Sequence, residues 1–172
     1  EFYRMAQGQE QFDGIVAVTT NVLTSFLRVT GPVEIAGYPG IYGADNAILD
    51  LEYQVEEGYK KQNIALGERK SMMNILGREI LQQVKALSLT KKYELFQVVL
   101  DDLHRKDIQL LFRDENLQAD VVASGWDGTL DSTWQNDYLM LADANLNSFK
   151  SDYYMKRSYQ YTVDLSKDIP EA

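Results

Sequence analysis

Across residues 66–87, Met73, Leu76, Ile80, Val84 and Leu87 recur at helical spacing and share one stripe of a helix surface. A helix of that length draws most of its stability from burying such a stripe against something else. The rest of the chain must therefore supply a packing partner, and the hydrophobic period elsewhere says what kind.

The partner reads as a sheet. "FDGIVAV" (12–18) is a short β-branched run bounded by Asp13-Gly14, and "VEI" (33–35) is a second. Between them, "TNVLTSFLRVTGP" places Val22, Leu23, Phe26 and Leu27 on one helical face and stops at Gly31-Pro32. "AGYPGIYG" reads as a loop without phosphate-loop spacing. Asp45 and Asn46 then open a helix through Val55, with Ala44, Ala47, Ile48, Leu51 and Val55 facing inward. The polar stretch 56–68, "EEGYKKQNIALGE", lacks periodicity and reads as the most mobile loop.

A further helix near 91–106 carries Phe96, Val99, Leu100 and Leu103, and "DIQLLF" (107–112) is apolar enough for a central strand. Asp114 caps a short helix that ends at Gly125, and "WDGTL" is a turn with a packed tryptophan. "DYLMLADANL" (137–146) and "DYYMKRSYQYTVDL" (152–165) read as two long paired antiparallel strands. Tyr153, Met155, Tyr159, Tyr161 and Val163 stand at alternate positions of the second, facing the core. The expected class is mixed α/β (α+β): a layered domain with a mixed sheet flanked by helices and closed by these two strands.

Composition removes several functions. The 172 residues suit one domain. No run of 18 or more apolar residues is present, so no membrane span is expected within the chain. A net charge of −9 without a basic stripe argues against nucleic acid. The absence of cysteine removes disulfides and thiolate chemistry. His104 is the only histidine and reads as a helix-surface residue, so multi-histidine metal sites are excluded and no metal site is expected.

The charges that stand among apolar residues point further. Arg69 continues the 66–87 stripe four residues before Met73, at the helix start, where a cation gains nothing from the dipole; Lys70 sits beside it. Arg157 interrupts the aromatic series of the last strand. Each needs an anion or access to water. Either they pair with internal carboxylates such as Glu52 or Asp143, or they line a cleft that takes an external anion such as phosphate. A hairpin about Ser148 would set Asp143 opposite residues 154–157, making Asp143–Arg157 the candidate structural pair. Asn145, Lys150 and Asp152 form the other dense polar group, either binding residues or a turn cluster. Asp101 and Asp102 diverge by about 100° on a helix and read as a solvated face.

The order "FDGIVAVTTNVLTSFLRVTGPVEIAGY", "GADNAILDLEYQVE", "RKSMMNILGREIL", "DIQLLFRDENLQADVVASGWDGTL" and "NDYLMLADANLNSFKSDYYMKRSYQYTV" resembles the domain of unknown function catalogued as four-thousand-twelve, found in bacterial cell-surface proteins. The resemblance runs from about Phe2 to Leu165, most specifically in "DGIVAV", "TGPVEI" and "ANLNSFKSDYY". More distantly, the first half is similar to the LytR-CpsA-Psr domain, whose members move glycopolymers from a polyprenyl pyrophosphate carrier onto the cell wall. "VTGPVEI" stands at its Leu-Gly-Gly-Val segment, "NAILDLEYQVE" at its Ala-Leu-x-Tyr-x-Arg helix, and "ERKSMM" at its arginine-rich, pyrophosphate-contacting turn. Arg69 matches one arginine of that turn. Gln54 and Val55 follow Tyr53 in place of the helix arginine, and Met72 and Met73 replace a second arginine and a glutamine.

The resemblance implies a bacterial cell-envelope domain, extracytoplasmic and anchored through a segment upstream, of which this chain is the C-terminal portion. Its implied work is binding an anionic envelope component, a polyprenyl phosphate or a cell-wall glycopolymer, with Arg69, Lys70, Arg157, Asn145, Lys150 and Asp152 as candidate contacts. One alternative is a phosphotransferase attaching glycopolymer to the cell wall, for which Mg²⁺ would be needed; no other cofactor is implied. The other is a non-catalytic structural or adhesive surface module with its arginines paired internally.

Overall fold

The computed structural model describes residues 12–130, 133, 135, 138–141 and 155–162. The chain divides after Leu130 into two compact units, Glu1–Leu130 and Asp131–Ala172. The first is mixed α+β, built from helices and two small antiparallel sheets.

Strand β1 (Gly14–Val18) leads into α1 (Thr20–Thr30), which ends at Gly31 with φ 91°, a backbone conformation glycine adopts freely. β2 (Val33–Glu34) and β3 (Ile41–Tyr42) form a hairpin, Val33 opposite Tyr42 and Glu34 opposite Ile41. Asn46 organises the next turn. Its Oδ1 accepts from the Gly43 N–H at 2.7 Å, and its Nδ2 donates to the Ile41 carbonyl at 2.9 Å. α2 (Ala47–Tyr53) follows, continued by a π-helical turn (Gln54–Gly58) and a last helical turn (Tyr59–Lys61).

After a 3₁₀ turn (Leu66–Glu68) come the two long helices, α3 (Ser71–Ala86) and α4 (Leu89–His104). β4 (Ile108–Phe112) returns antiparallel to β1, with Val16 opposite Leu110, and α5 (Glu115–Ala123) closes the unit. Gly14 is required where it stands: a Cβ there would lie 2.5 Å from the Phe112 ring. Asp114 caps α5, accepting from the Leu117 N–H at 2.8 Å, as expected of an aspartate at that position.

The core is continuous across α1, the β2–β3 hairpin, α2 and the first half of α3. Leu27, Val33, Ile35, Tyr42, Ala47, Leu51, Val55, Met72 and Leu76 are buried together. The inward face expected of residues 44–55 is the face that packs. Among the described residues, no helix is long and apolar enough to cross a membrane.

Several expectations need correction. The stripe of α3 holds at Leu76, which is buried, and at Ile80, Val84 and Leu87, which are half-buried, but fails at its start: Met72 is buried and Met73 is 47% exposed. Arg69 lies before the α-helix, which starts at Ser71 after a 3₁₀ turn, so it does not continue the stripe. In α4, Leu103 is buried and Val99 and Leu100 are half-buried as expected, whereas Phe96 is exposed and Leu95 is buried in its place. "GYPGIYG" contains β3, and Tyr42 within it is one of the most buried side chains. Much of 56–68 is helical turns rather than open loop. In place of one mixed sheet there are two separate two-stranded antiparallel ladders, and "DIQLLF" is half-covered rather than central.

In the second unit, the described residues 138–141 and 155–162 carry no strand. Met155, Arg157, Tyr159 and Tyr161 are exposed, and so are Lys156, Ser158 and Gln160 between them. An alternating run buries one face only where a ladder and a covering layer exist. Over these residues it finds neither. The rest of the two expected strands lies outside the described residues.

Candidate functional site

The described residues hold two concentrations of polar chemistry. The first is at the start of α3. Lys70 occupies the N-cap with φ −95° and ψ 0°, its side chain makes no capping bond, and the first turn contains no acidic residue. A helix start carries unpaired N–H groups and a partial positive charge, which ordinarily attract aspartate or glutamate. Here Arg69 and Lys70 add two cations instead. The Ser71 hydroxyl lies 3.0 Å from the Tyr38 hydroxyl, and Tyr38 packs half-buried on the core. The result is a positive helix end flanked by two cations and two hydroxyls, a donor set suited to an anion.

One carboxylate already serves that end. Arg69 Nη1 lies 3.7 Å from Glu56 Oε2, with both side chains partly exposed. This contact ties the start of α3 to the π turn that ends α2. Arg69 is thus paired internally, with Glu56 and not with Glu52. Where the resemblance puts an arginine after Tyr53, Gln54 and Val55 are both buried; Gln54 Oε1 accepts from Gln62 Nε2 at 2.5 Å. The cation near Tyr53 is Lys61, whose Nζ donates to the phenol oxygen at 2.6 Å, a bond that raises the lysine pKa above its usual value. Lys60 is raised likewise by its bond to Glu57.

Lys70 is exposed beside Arg69. Arg157 belongs to the second unit, where its Nη2 lies 3.6 Å from Met155 Sδ. Asp143, Asn145, Lys150 and Asp152 lie outside the described residues, and with them the Asp143 side of the expected charge pair. Of the candidates, the structure brings together Arg69 and Lys70.

The second concentration was missed from sequence. Asp102, read as solvated, is 0% exposed between α1 and α4. Its Oδ1 accepts from the buried Ser25 hydroxyl at 3.1 Å and from Arg105 Nη2. Arg105 Nε also donates to Asp107 Oδ2 at 3.3 Å, and Asp107 Oδ1 accepts from Thr19 Oγ1 (2.6 Å) and Asn21 Nδ2 (2.9 Å). These bonds, Thr19 first, hold the Asp107 carboxyl below its usual pKa. The available signal was the spacing Leu95, Val98, Asp102, an alternative stripe one residue away from the one chosen.

Ser25 has an acceptor but no general base. The sole histidine, His104, is exposed and packs edge-on against Trp126, ring centroids 6.3 Å apart. This network joins α1 to α4 and to the segment that leads into β4. The Mg²⁺ of the transferase reading would need converging carboxylates; among the described residues no group of three His, Cys, Asp or Glu side chains gathers to hold a metal.

Comparison with protein-family models, with curated proteins and with solved structures yields no match.

Proposed function

We propose that this chain is a bacterial cell-envelope domain, related in fold to the LytR-CpsA-Psr domain, that binds an anionic envelope component through the start of α3. The ligand class is a phosphate-bearing one, a polyprenyl phosphate or a glycopolymer, encountered outside the cytoplasm. The observation that carries the reading is the uncapped N-terminus of a long helix with Arg69 and Lys70 in place of the acids that normally sit there. Titration of the ¹⁵N-labelled chain with inorganic phosphate tests it. Amide shifts should concentrate at Lys70–Met72; shifts that are absent, or spread evenly over exposed lysines, would overturn it.

The Arg69–Glu56 pair favours a second reading, a non-catalytic surface module in which the arginine is structural. Glu56→Gln separates the two. Releasing Arg69 strengthens phosphate binding under the first reading, whereas under the second it lowers stability and leaves phosphate unbound.

A further inference from the structure

A groove of about 260 Å³ runs between α1 and α4, wholly within the first unit. α1 contributes Ser25 and Arg28 to its walls; α4 and its C-cap contribute Glu94, Asp101 and Arg105. Residues three, four and seven apart share one face of a helix, so these side chains meet the same space. Arg105 is held in place. Its Nε donates to Asp107 Oδ2 at 3.3 Å and its Nη2 to Asp102 Oδ1, while its Nη1 bonds nothing among the described residues. A guanidinium fixed through two nitrogens presents the third with little ordering left to lose. Asp102, bonded to both Ser25 and Arg105, is wholly buried behind them, and its Oδ2 has no hydrogen-bond partner among the described residues.

Arg28, in the last turn of α1, and Asp101 are exposed, and neither makes a hydrogen bond or ion pair among the described residues. Glu94 is engaged by Lys91 at 2.7 Å. Two guanidiniums and two carboxylates thus share one groove without closing on each other across it. A simple anion drawn to the arginines would also meet Asp101 and Glu94, and a simple cation would meet Arg28 and Arg105. A molecule that carries both charges sets each against its opposite. We propose that this groove binds a small zwitterion of amino-acid size, its carboxylate between Arg28 and Arg105 and its ammonium on Asp101.

Volume sets the size of the ligand. The groove falls below the range of about 300–1,000 Å³ that houses drug-sized molecules, which leaves room for a compact one. Guanidinium and carboxylate supply the charge-assisted, bidentate contact that fixes one end. Arg28 and Asp101 remain solvated, so the affinity is about millimolar and falls as salt is added. The groove shares no residue with the start of α3 and does not depend on anion binding there.

Titration of the ¹⁵N-labelled full chain with glycine and, separately, with γ-aminobutyrate, whose charges stand further apart, tests this. Propionate and propylamine, each carrying one of the two charges, are the controls. At least one zwitterion should shift the amides of residues 25–29 and 94–105 saturably, with the controls about tenfold weaker. Arg28→Gln and Asp101→Asn should each weaken that zwitterion about tenfold. Both side chains are exposed and unbonded, and circular dichroism verifies that each variant is folded. Shifts at these amides with neither zwitterion, controls that bind as well as the zwitterion, or folded variants that bind as the parent does would each refute the assignment.

Discussion

Replacing Arg105 with Met tests the helix-joining network most sharply. Asp102 is wholly buried, and among the described residues Arg105 is the cation that pairs with it, with Ser25 supplying the other bond. Removing one partner of a buried ion pair strands the other charge and costs about 3–5 kcal/mol. Arg105 is itself more than half exposed, so water compensates part of that loss and the expected cost falls to about 2 kcal/mol. For a chain of this size that lowers Tm by roughly 4–8 °C. Asp102→Asn keeps an acceptor for Ser25 while removing the charge, so Arg105→Met in the Asp102→Asn background should cost much less. Urea unfolding of the four proteins gives the coupling, expected at about 1–2 kcal/mol. If Arg105→Met melts with the parent, or the two changes are additive, the buried carboxylate does not depend on Arg105 and the reasoning fails.

Met72→Ala should cost about 2–5 kcal/mol while Met73→Ala stays within about 0.5 kcal/mol, and denaturant midpoints that rank the two the other way would reverse the assigned face of α3. Asp107 has a depressed folded pKa, so its contribution is present above the unfolded value near 4 and is lost as pH falls through the folded value. Acid titration followed by circular dichroism should therefore show Asp107→Asn losing less stability than the parent between about pH 5 and 2. Asp114→Ala removes the cap on α5 and should cost about 1 kcal/mol in thermal unfolding; no change would mean that the end of this helix contributes little.

The sequence carried local structure well and phase poorly. The stop at Gly31, the cap at Asp114 and the inward set Ala47, Leu51 and Val55 depend on short-range chemistry, and each stands where it was expected. Leu76 and Leu103 are buried as their spacing predicts, but Met73 and Phe96 stand about 100° round the helix from the buried Met72 and Leu95, a difference that period alone does not resolve. Arg69, between the 3₁₀ turn and Ser71, lies against Glu56, a contact between segments that no local pattern encodes. Asp102 was misread for the same reason: its burial depends on which face α4 turns toward Ser25. The period-2 run around Tyr159 was visible, but a pattern does not specify the strand that would pair with it. The cationic start of α3 was legible as residues, while its missing cap and the Tyr38 and Ser71 hydroxyls required the fold.

The most direct test of the anion-binding account is calorimetric titration of the full chain with a soluble prenyl phosphate such as geranylgeranyl phosphate. The parent and the Arg69→Ala/Lys70→Ala double variant are compared at low and raised salt. The account predicts one site on the parent, weakened about tenfold by the double change, a loss of about 1.4 kcal/mol, and weakened further by salt in the parent than in the variant. No heat of binding with the parent, or equal affinity in a folded double variant, would contradict it.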